Sequence, residues 1–437
     1  MVNKFGRAFD HLTKTSSLES ILDAIQAVED LFSEEWLKRK ESHRLQLLWN
    51  RKDYLSTNEL FSFGKAINRL KKHNSTWLES TANEIKKNIH TSHGLITEII
   101  IAGSLSTEKG VVRPCPKSYP IYDYTIDFDS GYKYKVSVKN FDISDHEKLF
   151  KQRCDLIRQT FKNYVKHHKT SGSLYIVCSN GILTKEITDQ ICFFIVFEMD
   201  GYQQYFLNKL GVIINFQKIA FFDKYRLQHS SDIVMILGNQ HYNEQRNIES
   251  KIKLANNSLL KDPTDNSSIK KLIIRLGETT NIKKIKKYVE HISRDYENCG
   301  FDICILIQPT VCSNLENNST QIINSMFFIP REYALLSDNL PEKLENTGLV
   351  TMDLGVGSVS FEEAPLKLMN GDIPTDLDLS NFYVYQQGDV YLKMQKEGDV
   401  YSGEFIQSFP GVKSHLIFKN FTFIPMIFDN TNKLLIV

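Results

Sequence analysis

Apolar positions along the chain follow two periods, and the changes between them divide it. Up to about residue 92 they recur at helical spacing, and Ser16/Glu19, Ser56/Glu59 and Thr76/Glu79 stand three apart before apolar runs, as capping boxes do. This predicts a helical N-terminal region, 1–92. From 93 to 215 the pattern turns α/β, with an apolar helix around Leu95–Ala102, alternating strands at 122–128 and 132–139, a long helix from about 144 to 168 and a strand Leu174–Cys178. A second α/β region, 216–349, has a boundary at the polar segment 261–268. Beyond it come a strand Lys271–Leu276, a helix with Ile282, Ile285, Val289 and Ile292 on one face, and a strand Phe301–Gln308. The region 350–437 is β-rich, and its repeated Gly-Asp-Val-Tyr at Gly388–Tyr391 and Gly398–Tyr401 predicts successive hairpins.

The stretch from Tyr122 to Lys139 fixes its own register. Aromatic and aliphatic residues hold every even position in 122–128 and in 132–138, so even must face even across the hairpin. That selects a three-residue loop, Asp129 to Gly131, with Gly131 supplying a positive φ, and sets 128 opposite 132 and 122 opposite 138. Asp123 then lies opposite Ser137 and diagonal to Lys139, within the roughly 5 to 8 Å reach of cross-strand neighbours. Asp127 shares that face but is opposite Lys133, about 20 Å of strand from Lys139.

Composition changes this picture little. At 437 residues the chain exceeds what one core normally serves, and 41% apolar with 24% charged residues suits folded domains. A net charge of +1 neither advertises nor excludes nucleic acid. Seven cysteines without CxxC or Cys/His spacing suit reduced thiols. The first residues lack a signal peptide's apolar stretch and no run approaches the ~18 apolar residues of a membrane span, so a cytoplasmic protein without a membrane partner is expected.

Glu98 sits in a helix that is apolar nearly all round, where a carboxylate wants a partner or a metal. Glu98, Asp123 and Ser137-Val138-Lys139 together resemble the PD-(D/E)xK superfamily of restriction-endonuclease-like enzymes, whose motif is an acid on a first helix, an Asp starting a strand and (D/E)xK on the next. Tyr122 stands where the family has proline, and Ser137 where it has an acid. The resemblance implies a core with a central mixed sheet at 93–215, catalytic Glu98, Asp123 and Lys139, and Mg²⁺, with Mn²⁺ as substitute. The metal would be held by Glu98, Asp123 and the carbonyl of Val138, with Glu147, or else Asp155, replacing the missing acid. Glu147 also completes a capping box with Ser144.

The implied activity is metal-dependent hydrolysis of DNA phosphodiesters, with RNA the other candidate substrate and restriction or anti-phage defence the natural setting. A homodimer or an activating protein would be its assembly partner. Asn140, His146, Lys148, Lys151, Arg153, Arg158 and Lys162 could meet phosphates, although each alone reads as ordinary surface. The competing class is a catalytically inactive nuclease-fold protein that binds nucleic acid or serves as a scaffold, as Ser137 would signal. Serine-hydrolase, HExxH and P-loop motifs are absent from the sequence.

Overall fold

The computed structural model of the chain describes residues 4–331, apart from short internal stretches of which 219–232 is the longest, and the strand residues 382–387, 390–397, 400–407 and 415–419. In chain order its elements begin with α1 (Leu18–Phe32), α2 (Glu34–Leu37), α3 (Arg44–Asn50), α4 (Tyr54–Lys87) and α5 (Ser92–Leu105), then β1 (Gly110–Pro114), β2 (Tyr124–Phe128) and β3 (Lys133–Phe141). Next are α6 (Asp145–His168), β4 (Gly172–Cys178), α7 (Lys185–Phe197), β5 (Gln203–Leu207), β6 (Val212–Lys218) and β7 (Ile233–Leu237). The chain continues with α8 (Glu244–Leu260), β8 (Ser268–Leu276), α9 (Ile282–Ser293), β9 (Ile303–Asn314) and β10 (Ser319–Pro330). Last are β11 (Phe382–Gln387), β12 (Val390–Glu397), β13 (Val400–Gln407) and β14 (His415–Lys419).

Two compact units result, one of residues 1–142 with 245–380 and one of 143–244 with 381–436. The first holds a six-stranded mixed sheet in the order β1-β2-β3-β8-β9-β10. Its strands are antiparallel from β1 to β3 and from β9 to β10, while β8 runs parallel to both β3 and β9. All nine residues of β8 are buried, as a central parallel strand requires. On one face, Leu272, Ile274, Leu276, Cys304 and Leu306 pack with Ile252, Ala255 and Leu259 of α8 and with Ile282, Ile285 and Val289 of α9. The alternate residues of β8 face α5, to which Arg275 is hydrogen-bonded through Thr97 at 3.0 Å.

Helices α1, α4 and α5 pack closely because two glycines let them. A Cβ at Gly64 would lie 1.8 Å from the Ala24 carbonyl oxygen, and one at Gly103 would lie 2.4 Å from Ala66. The capping expectations need correction. Ser17, one residue after the expected cap, closes α1 by accepting from the Ser20 N–H at 3.2 Å. Ser56 and Glu59 lie inside α4, where Glu59 is buried in an ion-pair network. Thr76 and Glu79 also lie inside α4, just beyond a break at Asn74 (φ −134°, ψ 31°) whose side-chain amide donates to Val112 O at 3.1 Å.

The segment expected to form one core, 93–215, contributes to two sheets. Strands β1 to β3 belong to the sheet just described, whereas β4 pairs with β6 and β7 in the order β5-β6-β4-β7. Neighbours in sequence usually neighbour in space. Here the second unit intervenes, and the strand beside β3 is β8, reached only after α8. In the C-terminal region β11 to β14 form an antiparallel meander, so the Gly-Asp-Val-Tyr repeats do mark successive hairpins. Among the described residues no helix is long and apolar enough to cross a membrane.

Candidate active site

The hairpin adopts the register its alternation predicts. Tyr124 pairs with Val136 and Ile126 with Tyr134, and the turn is closed by Phe128 N–H to Tyr132 O and Gly131 N–H to Phe128 O, both 3.0 Å. Gly131 supplies the positive φ, 84°.

Beyond the Tyr124–Val136 pair a side chain takes over from the backbone ladder. The main chain of Asp123 is pinned by its N–H to Val136 O at 2.9 Å and by Cys115 N–H to its own carbonyl at 3.0 Å. Its Oδ2 accepts the Val138 N–H at 2.6 Å and lies 3.7 Å from the Lys139 ammonium. Lys139 Nζ also donates to the Val138 carbonyl at 3.2 Å. The Asp123 side chain is 25% exposed and that of Lys139 36%. Oδ1 of Asp123 has no hydrogen-bond partner among the described residues, so lone pairs remain for a ligand. Asp127 is instead opposite Lys133 and pairs with Arg113 at the sheet edge.

Glu98 is half-buried on α5, whose other residues are mostly buried, as the apolar sequence implies. The helix is moored to the sheet through Thr97, which donates to Asn140 Oδ1 at 3.3 Å and accepts from Arg275 at 3.0 Å. Asn140 is therefore engaged by α5 in this structure. The Tyr124 hydroxyl is fully buried and has no hydrogen-bond partner among the described residues, and its pKa is pushed well above the ordinary value by burial and then by the charges of Asp123 and Glu98.

The structure thus gathers Asp123, Val138 and Lys139. Ser137, where the resemblance expects an acid, is buried at 2% exposure. The Glu147 side chain and Ser144 lie outside the described residues. Asp155, the other proposed substitute, is exposed on α6 and lies 3.9 Å from Arg158. Among the described residues no group of three His, Cys, Asp or Glu side chains is arranged to hold a metal. Of the expected phosphate contacts on α6, Arg153 donates to Leu183 O at 2.6 Å and Lys148 pairs with Asp145 at 3.0 Å. The Lys151 side chain lies outside the described residues, and His146 and Lys162 are exposed.

Sequence reasoning missed two features. One is the Tyr124 hydroxyl, read there only as an apolar-face residue. The other is the buried network of Glu59, Arg275, Arg44 and His93, whose members lie on α4, β8, α3 and α5. No local pattern signals it, since Glu59 and Arg275 are 216 residues apart.

No family model, curated protein or solved structure matches this chain.

Proposed function

We propose that the chain is a metal-dependent endonuclease that hydrolyses DNA phosphodiesters, with restriction or anti-phage defence as its setting. The supporting observation is the end of the β2–β3 hairpin, where a half-exposed aspartate is fixed by the Val138 N–H beside the Lys139 ammonium. Glu98 and Asp123 give two carboxylates, and Val138 a carbonyl. That donor set suits Mg²⁺, which commonly takes one or two carboxylates and completes its octahedron with waters and phosphate oxygens. It does not make a closed protein cage.

When bound, Mg²⁺ would supply a lowered water pKa and charge neutralisation at the phosphate. With Oδ2 of Asp123 held by the Val138 N–H, Oδ1 would be the oxygen left for the cation. Lys139, 3.7 Å from Asp123, would orient the attacking water or offset charge developing on the pentavalent phosphorus. No covalent intermediate is needed.

Ser137, together with the lack of a three-ligand group among the described residues, favours one alternative. This is a nuclease-fold protein that binds nucleic acid without cutting it. Plasmid, single-stranded DNA and RNA incubated with Mg²⁺, Mn²⁺ or EDTA separate the two. The proposal expects metal-dependent cutting of DNA that Asp123→Ala and Lys139→Ala each slow by roughly 10²- to 10³-fold. Cutting undiminished by both substitutions would overturn the site, and binding without cutting or metal uptake would favour the alternative.

A further inference from the structure

Thr97 and Glu98 are adjacent on α5, and Lys139 and Asn140 are adjacent on β3. In each pair one residue belongs to the candidate site and the other is hydrogen-bonded across the boundary between helix and sheet. The Thr97 hydroxyl donates to Asn140 Oδ1 at 3.3 Å and accepts from Arg275 Nη1 at 3.0 Å. Arg275 is the β8 residue in register with Asn140, so one hydroxyl holds two neighbouring strands at the same level. Thr97 is 2% exposed, and water does not compete for either bond. A hydroxyl has a single proton to give, and here that proton goes to Asn140 while a lone pair takes the guanidinium.

Neither packing nor charge balance asks for this hydroxyl. Valine would fill the same space on a helix whose neighbouring Ile96, Ile99 and Ile100 are buried aliphatics. Arg275 already has its counter-charge in Glu59, at 2.8 Å on Oε2 and 3.3 Å on Oε1. What the hydroxyl adds is direction. A helix resting on a sheet through aliphatic side chains alone is free to slide or roll slightly, because apolar attraction is non-directional, whereas hydrogen bonds fix an angle and a distance. Glu98 follows Thr97 in the chain, and Val138 and Lys139 precede Asn140. The offset that the hydroxyl fixes is therefore the offset between the helix carboxylate and the strand end that carries the carbonyl and the ammonium.

We propose that Thr97 is a positioning residue of the candidate site, its hydroxyl locking α5 to β3 so that Glu98 is held in place as a ligand for a divalent cation beside Asp123 and Val138. This rests on the metal-dependent reading of the site and adds to it a residue outside the motif. Thr97 acts through Glu98, as residues behind a metal's own ligands do when they fix ligand orientation.

The test uses the full chain, as wild type, Thr97→Val and Thr97→Ser, with Mn²⁺ alone as the probe. Calorimetric titration gives the Mn²⁺ dissociation constant, and melting in EDTA gives metal-free stability. Valine keeps the shape and removes the hydroxyl, while serine keeps the hydroxyl and removes a methyl group. Both should lower the melting temperature by about 1 to 4 °C, one through lost buried hydrogen bonds and the other through a small cavity. Mn²⁺ binding should weaken roughly 10-fold in Thr97→Val and stay close to wild type in Thr97→Ser. Asn140→Leu removes the other end of the bond at a half-buried position, and so tests it even if Thr97→Val does not fold. It should weaken Mn²⁺ binding to a similar degree, and the double variant with Thr97→Val no further. Equal Mn²⁺ affinity of wild type and Thr97→Val would overturn the role of Thr97 while leaving the metal site standing. An equal loss in Thr97→Ser and Thr97→Val would overturn it too, by showing that packing and not the hydroxyl matters. Failure of the wild type itself to take up Mn²⁺ would overturn the metal-dependent reading, and the proposal with it.

Discussion

Glu59 and Asp123 each lie beside cationic side chains, and the two neighbourhoods are built differently. The Glu59 side chain is 2% exposed and receives both arms of Arg275, at 2.8 Å on Oε2 and 3.3 Å on Oε1. Arg44 stands 3.6 Å away and His93 3.8 Å. Burial works to raise its pKa, but the charges of Arg275, Arg44 and His93 and the Arg275 hydrogen bonds override it and hold the carboxyl at about 2. Asp123 is 25% exposed, takes one backbone N–H and one ammonium on a single oxygen, and has nothing bonded to its other oxygen among the described residues. A carboxylate whose acceptors are all taken has nothing left for a ligand and serves the fold. One that is fixed on one oxygen and open on the other is suited to chemistry.

The largest expected effect breaks the first of these pairs. Glu59→Gln leaves Arg275 buried without its counter-charge and should cost about 3 to 5 kcal/mol in denaturant unfolding. Its pH signature follows from the depressed pKa. The stabilisation is fully present above about pH 4.5 and is lost as pH falls toward about 2, so acid titration of the wild type should show a loss in that window that Glu59→Gln lacks. Next in size, Asp123→Ala and Lys139→Ala should each slow DNA cleavage by roughly 10²- to 10³-fold, about 3 to 4 kcal/mol in the barrier. Their unfolding free energies should move by less than about 1 kcal/mol, because the pair is partly exposed.

A smaller effect concerns a cation whose surroundings match neither pair. Lys271 is 3% exposed in β8, burial lowers its pKa to about 7, and its ammonium lies 3.3 Å from the Tyr134 ring centroid, which offsets part of the cost. A lysine whose folded pKa is depressed destabilises the fold wherever the unfolded chain holds its proton, most of all below pH 7, and less as pH rises toward 10.5. Lys271→Met should therefore stabilise the protein by about 2 kcal/mol at pH 6 and by less at pH 9, measured by denaturant unfolding. Smallest of all, Asp127→Ala removes only the edge pair with Arg113, whose side chains are 41% and 68% exposed. It should change stability by less than about 1 kcal/mol and leave cleavage untouched.

The same contrast explains what could be read from the sequence. The hairpin was legible because its information is local. Alternation from Tyr122 to Lys139 and one glycine set the register, and the register sets Asp123 beside Lys139. The buried helix around Glu98 was legible for the same reason, from an apolar run with no polar face. The partner of β3 was not, because β8 follows a whole intervening unit and strand pairing across such a gap leaves no periodic trace. Glu59 was misread as part of a capping box with Ser56, since the local spacing fits a box while its true partner is on a distant strand. Thr76 and Glu79 carried a weaker version of the same signal, falling just past the break at Asn74. The sequence pattern assigned Tyr124 to the buried face and could not tell that its hydroxyl would lack a partner among the described residues.

The most direct test of the contrast measures cleavage and stability on one variant, Lys139→Met. It keeps the side-chain length and the apolar stem while removing the ammonium that lies 3.7 Å from Asp123. The account predicts that Mg²⁺-dependent cutting of plasmid DNA by the wild type is lost in this variant while its melting temperature stays within about 2 °C of wild type. Undiminished cutting by Lys139→Met would contradict it.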